Sequence, residues 1–201
     1  MGRLDRARRL QALAQNGLHY ATSPFDVERF DEVRAIAAEL AASPAEGEEQ
    51  LLATWAADRG HATPKIDVRG VVARDETVLL VRGIDDGRWT LPGGWAEVGE
   101  SPRQAVEKEV REEAGLVVRA ERVLAILDRD VRGRARFPFH GWKIYVLCAE
   151  LEQGEPDGIE TDATGFFAEG ALPELSERLP AEHLARVFAH LRDPALPAEL
   201  D

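Results

Sequence analysis

The sequence predicts an α/β (α+β) fold in which a helical section precedes a larger domain of mixed strands and helices. Residues 1–60 carry repeated helix-start signals, whereas residues 61–201 contain β-branched-rich runs interspersed with a few helical patterns. With 201 residues, 44% of them hydrophobic, the chain can form one sizeable domain and a small appendage. We therefore predict an N-terminal helical extension over 1–60 and a second domain over 61–201.

Helix starts in this sequence share one local signal, a serine followed by proline. The serine hydroxyl can cap the first turn, and proline is well suited to the first helical position. The three starts are Ser23, Ser43 and Ser101. The second and third are followed three residues later by Glu46 and Gln104, which completes a capping box. After the first start, one helical face is apolar and consists of Phe30, Val33, Ala37 and Leu40.

Runs of β-branched residues predict the strands of the second section. Residues 66–73 and 78–81 are two such runs separated by 74–77, which is the pattern of a β-hairpin. Further strands are predicted at 117–128, 143–151 and 165–168, and helices at 102–114 and 181–191. This interspersed order is the basis of the α/β prediction.

The formal net charge of −12 restricts the class of partner. Such an acidic surface repels phosphate backbones, which argues against DNA and against non-specific nucleic-acid binding. A polyanionic small molecule would need local neutralisation, which bound metal cations can supply. The chain also lacks an apolar stretch of about 20 residues and an N-terminal secretory signal, so we predict a cytoplasmic protein without membrane contact.

The segment 91–116 carries the most informative chemistry. A glycine-rich turn leads into the helix predicted over 102–114, which Gly115 ends. Glu112 and Glu113 lie three and four residues after Glu109, so all three share one face of that helix. Carboxylates gathered in this way either hold hard cations such as Mg²⁺ or pair with neighbouring basic residues on a solvated face. The helix alone leaves both readings open.

The spacing of these residues resembles the Nudix box, G-x5-E-x7-R-E-U-x-E-E-x-G-U with U aliphatic. Here it runs from Gly94 through Glu100 and Lys108-Glu109 to Glu112-Glu113 and Gly115-Leu116. Lys108 is the single departure, because the family has arginine there. Two glycines and four glutamates at set offsets, each used at about 7%, would arise by chance with a probability on the order of 10⁻⁷ per starting point.

The resemblance implies a Nudix-type α/β/α sandwich around a mixed sheet, with the box as a loop–helix–loop. It implies that Glu109, Glu112 and Glu113 bind Mg²⁺ (or Mn²⁺), with the Gly94 carbonyl as a further ligand. Bound metals offset the diphosphate charge and lower the pKa of an attacking water. The resemblance also gives catalytic roles to two of these ligands, Glu109 and Glu112, and to Lys108. It gives Glu100 a supporting role. Lysine lacks the rigid fork of arginine, so we expect a modest loss of rate.

The general base is less sharply defined by the sequence. In many relatives it lies within the box, and in others it is an acid in a loop before a late aromatic strand. Glu160 and Asp162 occupy that place here, ahead of Phe166-Phe167. We rank Glu160 above Asp162, and the alternative is that both are solvated loop acids.

The remainder of the chain resembles a Nudix subgroup with an N-terminal helical extension, described as ADP-ribose or CDP-choline pyrophosphatases. This resemblance implies hydrolysis of a nucleoside diphosphate derivative. The first choice is CDP-choline, which would be cleaved to CMP and phosphocholine, and the alternative is ADP-ribose. In that subgroup the extension contributes to dimerisation and to closing the site. A homodimer would explain exposed apolar residues such as Phe25 and Phe30, unless the helices pack only on their own domain.

Five further side chains are candidates for substrate contact or for structural roles. Trp95 could stack on a base or meet a choline cation, and Trp142 is a second aromatic candidate, although either could be core. Arg69 and Arg82 could contact phosphate or pair with acids. His140 lies in a predicted loop, where a structural or solvent-facing role is expected.

Three rival functions remain at the sequence level. A non-catalytic nucleotide sensor would keep the fold, but such domains typically have eroded metal glutamates, and here all are present. An RNA 3′-end nuclease is disfavoured by the charge of −12, which leaves RNA ends as a side activity. Hydrolysis of oxidised nucleoside triphosphates is disfavoured by the helical extension.

Overall fold

The computed structural model describes residues 2–43, 47–129 and 138–201 and confirms the mixed α/β fold. The helices are α1 (Arg3–Tyr20), α2 (Pro24–Ala41), α3 (Glu48–Ala57), α4 (Pro102–Ala114) and α5 (Ala181–Arg192). The strands are β1 (Lys65–Arg74), β2 (Thr77–Gly83), β3 (Trp89–Thr90), β4 (Leu116–Asp128), β5 (Gly141–Gln153), β6 (Thr161–Ala168) and β7 (Glu199–Leu200). A single 3-10 turn, Glu169–Ala171, follows β6.

The described chain divides into two compact units. The first contains the residues up to Lys65 and those described between Arg129 and Gly141, and the second contains 66–128 and 142–201. Within the described residues, no helix is long and apolar enough to cross a membrane. The boundary at 60/61 remains a prediction.

Helices α1, α2 and α3 make up most of the first unit. Buried alanines on α1 and α2, such as Ala14 and Ala37, leave room for the helices to approach closely. Leu51 and Trp55 of α3 are buried as well, and the Trp55 indole Nε1 donates to the Pro138 carbonyl at 3.0 Å. Small and large side chains therefore fill this small core together.

The expected exposure of two phenylalanines on α2 holds for one of them. Phe25 is 70% exposed. The prediction for Phe30 was wrong, because its ring lies directly against Gly17 of α1, where a Cβ atom would overlap it. The apolar face predicted for this helix therefore includes a residue of the α1–α2 contact.

The predicted helix starts have different outcomes. Helix α2 begins after Ser23 with Pro24 in its first turn, as predicted, although the serine side chain makes no capping hydrogen bond. The start predicted at Ser43 falls partly on residues 44–46, which lie outside the described residues. The helix that follows begins at Glu48 with Gly47 as its N-cap.

The second unit is built on a seven-stranded sheet. Its order is β3-β2-β1-β5-β4-β7, and β6 pairs with β2. The predicted hairpin is confirmed: β1 and β2 are antiparallel, with Ala73 opposite Val78. Strand β4 is antiparallel to β5 and parallel to β7, which makes the sheet mixed.

Helices α4 and α5 cover opposite faces of this sheet. Val106 of α4 belongs to one core cluster with Leu79 of β2, and Val187 of α5 belongs to another with Leu80. Neighbouring residues of a strand point to opposite faces, so the two clusters lie on the two sides of the sheet. This arrangement confirms the predicted α/β/α sandwich.

Helix α4 has the ends that its sequence predicts. The Ser101 hydroxyl accepts from the Gln104 backbone N–H at 3.3 Å, and the Gln104 side chain accepts from the Ser101 N–H at 3.0 Å. Gly115 ends the helix with φ 68°, a left-handed conformation that glycine adopts without strain. A Cβ there would also lie 2.6 Å from the Pro156 nitrogen, so the following loop requires glycine.

Candidate active site

The glycine-rich segment before α4 lies along strand β1 like a short extra strand. The Gly70 N–H donates to the Pro92 carbonyl at 2.8 Å, and the Val68 N–H donates to the Gly94 carbonyl at 2.9 Å. At Gly93 φ is 142°, and a side chain would overlap the Val68 carbonyl oxygen. The segment therefore needs glycine to lie this close to β1, and one lone pair of the Gly94 carbonyl is already used.

The three acids of α4 differ in their surroundings. Glu113 is buried, and its Oε2 accepts from the Gly93 N–H at 2.9 Å. Glu109 is half-buried beside Gly94, where a Cβ would lie 2.9 Å from Glu109 Oε2. Glu112 is more accessible, and its Oε1 lies 3.5 Å from Nη2 of Arg111. Two of the three predicted metal ligands thus face the glycine segment directly.

Burial is the main reason why the negative charges of Glu109 and Glu113 are disfavoured. It raises the pKa of Glu109 and of Glu113 to about 7, and the negative charge of Glu160 raises both pKa values further. The positive charge of Arg69 acts in the opposite direction on both pKa values. A divalent cation at these carboxylates would favour their ionised form.

The donor set suits a hard cation in its chemistry, because carboxylate oxygens are the ligands that Mg²⁺ and Mn²⁺ prefer. Within the described residues, however, no three histidine, cysteine, aspartate or glutamate side chains form a group that could hold a metal ion. Glutamate side chains rotate about three bonds, so Glu109, Glu112 and Glu113 would complete the ligand geometry as the ion binds. Their assignment as ligands remains a prediction.

The two candidates for the general base are in different situations. Asp162 forms an ion pair with Arg82, with Oδ1 at 2.7 Å from Nε and Oδ2 at 3.1 Å from Nη2. The hydrogen bond to Arg82 lowers the pKa of Asp162, which makes it a weaker base. Glu160 is exposed, and its charge acts on both Glu109 and Glu113. The ion pair makes Asp162 the less suitable base, and the assignment of Glu160 remains a prediction.

Lys108, which replaces the usual arginine, binds the loop that precedes α4. Its Nζ lies 3.2 Å from Oε1 of Glu100 and 3.4 Å from Oε1 of Glu97. The hydrogen bond to Glu100 raises the pKa of Lys108, so the amine stays charged. Lysine thus joins two loop acids to the helix, and Glu97 is a partner that the sequence did not indicate.

A buried ion network lies behind the site, and sequence reasoning missed two of its three members. The carboxylate of Asp67 accepts from Arg69 Nε at 2.7 Å and from Lys143 Nζ at 2.7 Å. Arg69 Nη1 also donates to the Leu91 carbonyl at 3.0 Å. All three charged side chains are buried. A charged residue inside each predicted strand was the available signal, but only the fold brings Asp67 and Lys143 together.

The remaining candidate contact residues differ in their exposure and pairing. Trp95 is 41% exposed beside Gly94, and Trp142 is 44% exposed on β5, so the interpretation of either as a core residue was wrong.

Arg69 and Arg82 both pair with acids, which is one of the two alternatives that the sequence left open. His140 lies in a loop, where its carbonyl accepts from the Lys65 N–H at 2.9 Å. Roles for these residues in substrate binding remain predictions.

Two family models match the chain. Residues 3–55 match a model described as a UDP-X-like, N-terminal oligomerisation domain, and residues 63–189 match the NUDIX domain. The Bacillus subtilis protein YjhB, provisionally named an ADP-ribose pyrophosphatase, is 39% identical over 193 residues. This match covers 95% of the chain and 93% of YjhB.

Two solved structures extend the likeness to three dimensions. A crystal structure of UDP-X diphosphatase is 30% identical with a TM-score of 0.65, and the match covers 98% of this chain and 97% of that one. A crystal structure of an ADP-ribose pyrophosphatase from Streptococcus suis 89-1591 is 39% identical with a TM-score of 0.61. It covers 69% of this chain and 100% of that one.

The fold, the spacing of the box and these matches define a class of enzyme, the hydrolases that act on phosphoric anhydride bonds. The chain belongs to the Nudix hydrolase family. Nudix hydrolases generally need a divalent metal ion. Which metal and which substrate apply here are questions for proposal and experiment.

Proposed function

We propose that this protein uses Mg²⁺ or Mn²⁺ to hydrolyse the diphosphate bridge of a nucleoside diphosphate derivative. The observation that carries the proposal is the position of Glu109 and Glu113. The two acids face the Gly93–Gly94 segment from one side of α4, and burial together with mutual repulsion disfavours their charge. A cation bound there would relieve this repulsion and would attract a diphosphate.

In the proposed mechanism, Glu109, Glu112 and Glu113 hold the cation. When bound, the cation supplies charge neutralisation and acidifies water. The Gly93 N–H orients Glu113, while Lys108 holds the loop acids beside the helix. Glu160 accepts one proton of the attacking water on a carboxylate oxygen. A bond forms between the water oxygen and phosphorus as the bond to the bridging oxygen breaks, and the bridging oxygen leaves with the other phosphate.

The names of the relatives change the order in which we rank the candidate substrates. The matches from Bacillus subtilis and Streptococcus suis both carry the name ADP-ribose pyrophosphatase, and UDP-X diphosphatase is also similar over nearly the whole chain. We therefore put ADP-ribose first. CDP-choline stays as the second candidate, because the exposed ring of Trp95 beside Gly94 offers a face for a choline cation.

A substrate panel tests this order. The purified protein would be assayed with Mg²⁺ or Mn²⁺ against ADP-ribose, CDP-choline, a UDP-sugar, NADH, oxidised dGTP and a short RNA, with and without EDTA. We expect the highest kcat/KM for ADP-ribose and no turnover in EDTA. Preference for CDP-choline would reverse the substrate order and leave the reaction intact. Nucleotide binding without turnover of any compound would support a sensor instead.

We also propose that the first unit mediates a homodimer. The family model that matches residues 3–55 describes an oligomerisation domain. In the structure, apolar side chains on α1 and α2 are exposed, among them Leu13, Tyr20, Phe25 and Ile36. Light scattering should give twice the mass of 22.2 kDa for the wild type. Phe25→Asp should shift the protein towards monomer, and a monomeric wild type would refute the dimer.

A further inference from the structure

The segment between β5 and β6 is hydrogen-bonded to the C-terminal end of α4. The Gly154 N–H donates to the Gly115 carbonyl at 2.7 Å, and the Asp157 N–H donates to the Glu112 carbonyl at 2.8 Å. The Thr161 hydroxyl donates to the Glu113 carbonyl at 2.7 Å. The last carbonyls of a helix have no partner within the helix, so this segment satisfies groups that would otherwise need water.

Two of these bonds end on the backbone of proposed metal ligands. Thr161 donates to the carbonyl of Glu113 through its side chain, whereas Asp157 donates to that of Glu112 through its backbone. Thr161 is only 5% exposed, so its hydroxyl is shielded from water. A buried hydrogen bond of this kind fixes two backbone segments relative to each other, because losing it leaves a carbonyl without a partner.

The residue before Thr161 is Glu160, the candidate base. Its carbonyl accepts from the Ile84 N–H at 2.9 Å, which ties it to the end of β2. Glu160 is thus held from one side by the loop after β2 and from the other by the Thr161–Glu113 bond. Its side chain is free in solvent while its backbone is fixed on both sides.

We infer that Thr161 is a positioning residue that places Glu160 relative to the acids of α4 through the hydrogen bond from its hydroxyl to the Glu113 carbonyl. The inference rests on the proposed function, in which Glu160 accepts the proton of the attacking water. Thr161 itself does not contact the substrate. Its contribution is to hold the base and the metal-binding helix in one geometry, on which proton transfer depends steeply.

The first test is Thr161→Val, which keeps the shape of the side chain and removes the hydroxyl. We expect kcat to fall about 10- to 100-fold with KM nearly unchanged, because a misplaced catalytic group affects the chemical step. Thr161→Ser restores the hydroxyl and should restore most of kcat. Thr164→Val, an exposed position on the same strand, serves as the matched control and should behave as wild type. Unchanged kcat in Thr161→Val would overturn the inference.

A double-mutant cycle with Glu160→Gln separates positioning from a general loss of structure. If Thr161 acts through Glu160, Thr161→Val will not lower kcat further in the Glu160→Gln background. Independent, multiplicative losses would refute positioning while leaving Glu160 as the base. A fully active Glu160→Gln protein would instead refute the base assignment in the proposed function, and the positioning role with it.

A third readout does not depend on turnover. In Thr161→Val the backbone amides of Asp157 and Ile84 should exchange with solvent faster than in wild type, because the segment loses one anchor. The thermal shift caused by Mn²⁺ should stay the same, since the acids of α4 are unchanged. If Thr161→Val does not fold, Thr161→Ala allows the same measurements. Wild-type exchange rates in the folded variant would contradict the inference.

Discussion

At the scale of single residues, the site depends on carboxylates whose surroundings oppose their charge. The carboxylate of Glu113 lies in the protein interior, where it accepts a hydrogen bond from the Gly93 N–H, and Glu109 is half-buried on the same helix. Burial raises the pKa of both to about 7. Such an arrangement is costly without a cation, and this cost is the physical argument for a metal site here.

Replacing one of these acids should separate metal binding from stability. Glu113→Gln keeps an oxygen that can accept from the Gly93 N–H but loses the charge, so we expect turnover to fall by at least about 100-fold with the fold intact. Glu112→Gln should behave alike. Glu107→Gln, on the same helix but bonded to the Ala120 N–H, is the matched control. Full activity of Glu113→Gln with Mg²⁺ would contradict the assignment of Glu113 as a metal ligand.

The lysine in the box offers a second test at this scale. Lys108→Met removes the contacts to Glu97 and Glu100, and we expect a lower kcat because the loop beside α4 is released. Lys108→Arg supplies a planar fork for the same two acids and should raise kcat by about two- to fivefold. Steady-state kinetics would decide. Equal rates for wild type, Lys108→Met and Lys108→Arg would show that this position does not affect catalysis.

At the scale of elements, α4 shows what local sequence can predict. Its bounds agree with the predicted 102–114 because a capping box and a left-handed glycine define both ends. The hairpin of β1 and β2 and helix α5 were predicted for similar local reasons. The two-residue strands β3 and β7 were not predicted. Strand β3 pairs with the neighbouring β2 but is too short to show a residue pattern, and β7 pairs with β4, which is distant in the sequence.

In the candidate site, too, some residues could be predicted from local sequence and others could not. The acids of α4 follow from spacing, because the helix repeat brings positions three and four apart together. The pairing of Lys143 with Asp67 joins residues 76 positions apart, and no local pattern encodes it. The sequence ranked Glu160 above Asp162, but the ion pair of Asp162 with Arg82 appears only in the structure, because Arg82 lies in another strand.

The buried network between β1 and β5 gives a stability prediction. Asp67→Asn removes the carboxylate that pairs with both Arg69 and Lys143 in the protein interior, so we expect a loss of about 3–5 kcal/mol of unfolding free energy. Lys143→Met should cost less, because Asp67 keeps its two bonds to Arg69. Urea unfolding of both variants measures the difference. A larger loss for Lys143→Met would contradict this account of the network.

Helix α5 gives a pH prediction. His183 is buried, and its Nδ1 lies 2.8 Å from the Tyr145 hydroxyl. Burial, with the charge of Lys143, lowers the pKa of His183 below its usual 6.5. As the pH falls, the histidine of the unfolded chain becomes protonated at a higher pH than that of the folded chain. The free energy of unfolding is therefore highest above pH 6.5 and decreases as the pH falls towards the lowered pKa. Urea unfolding at pH 7.5 and 5.0 should show a smaller loss for His183→Asn than for wild type. Equal losses would refute the assignment.

At the scale of the whole molecule, charge and function are linked. The chain carries a net charge of −12, yet its family acts on phosphoric anhydrides. Because the protein field repels polyanions, the phosphate charge would have to be neutralised locally, and the cation proposed at the acids of α4 would do this. The same field disfavours long nucleic acids more than a small diphosphate, since each further phosphate adds repulsion.

We propose that a cation held by the acids of α4 enables water to cleave a diphosphate bridge. The most direct measurement is ³¹P NMR of ADP-ribose and of CDP-choline incubated with the purified protein and Mg²⁺ in ¹⁸O-water. We expect the diphosphate signals to be replaced by two monophosphates, one carrying ¹⁸O, and we expect no change with EDTA or with Glu113→Gln. Cleavage that persists in EDTA, or in Glu113→Gln, would contradict the claim.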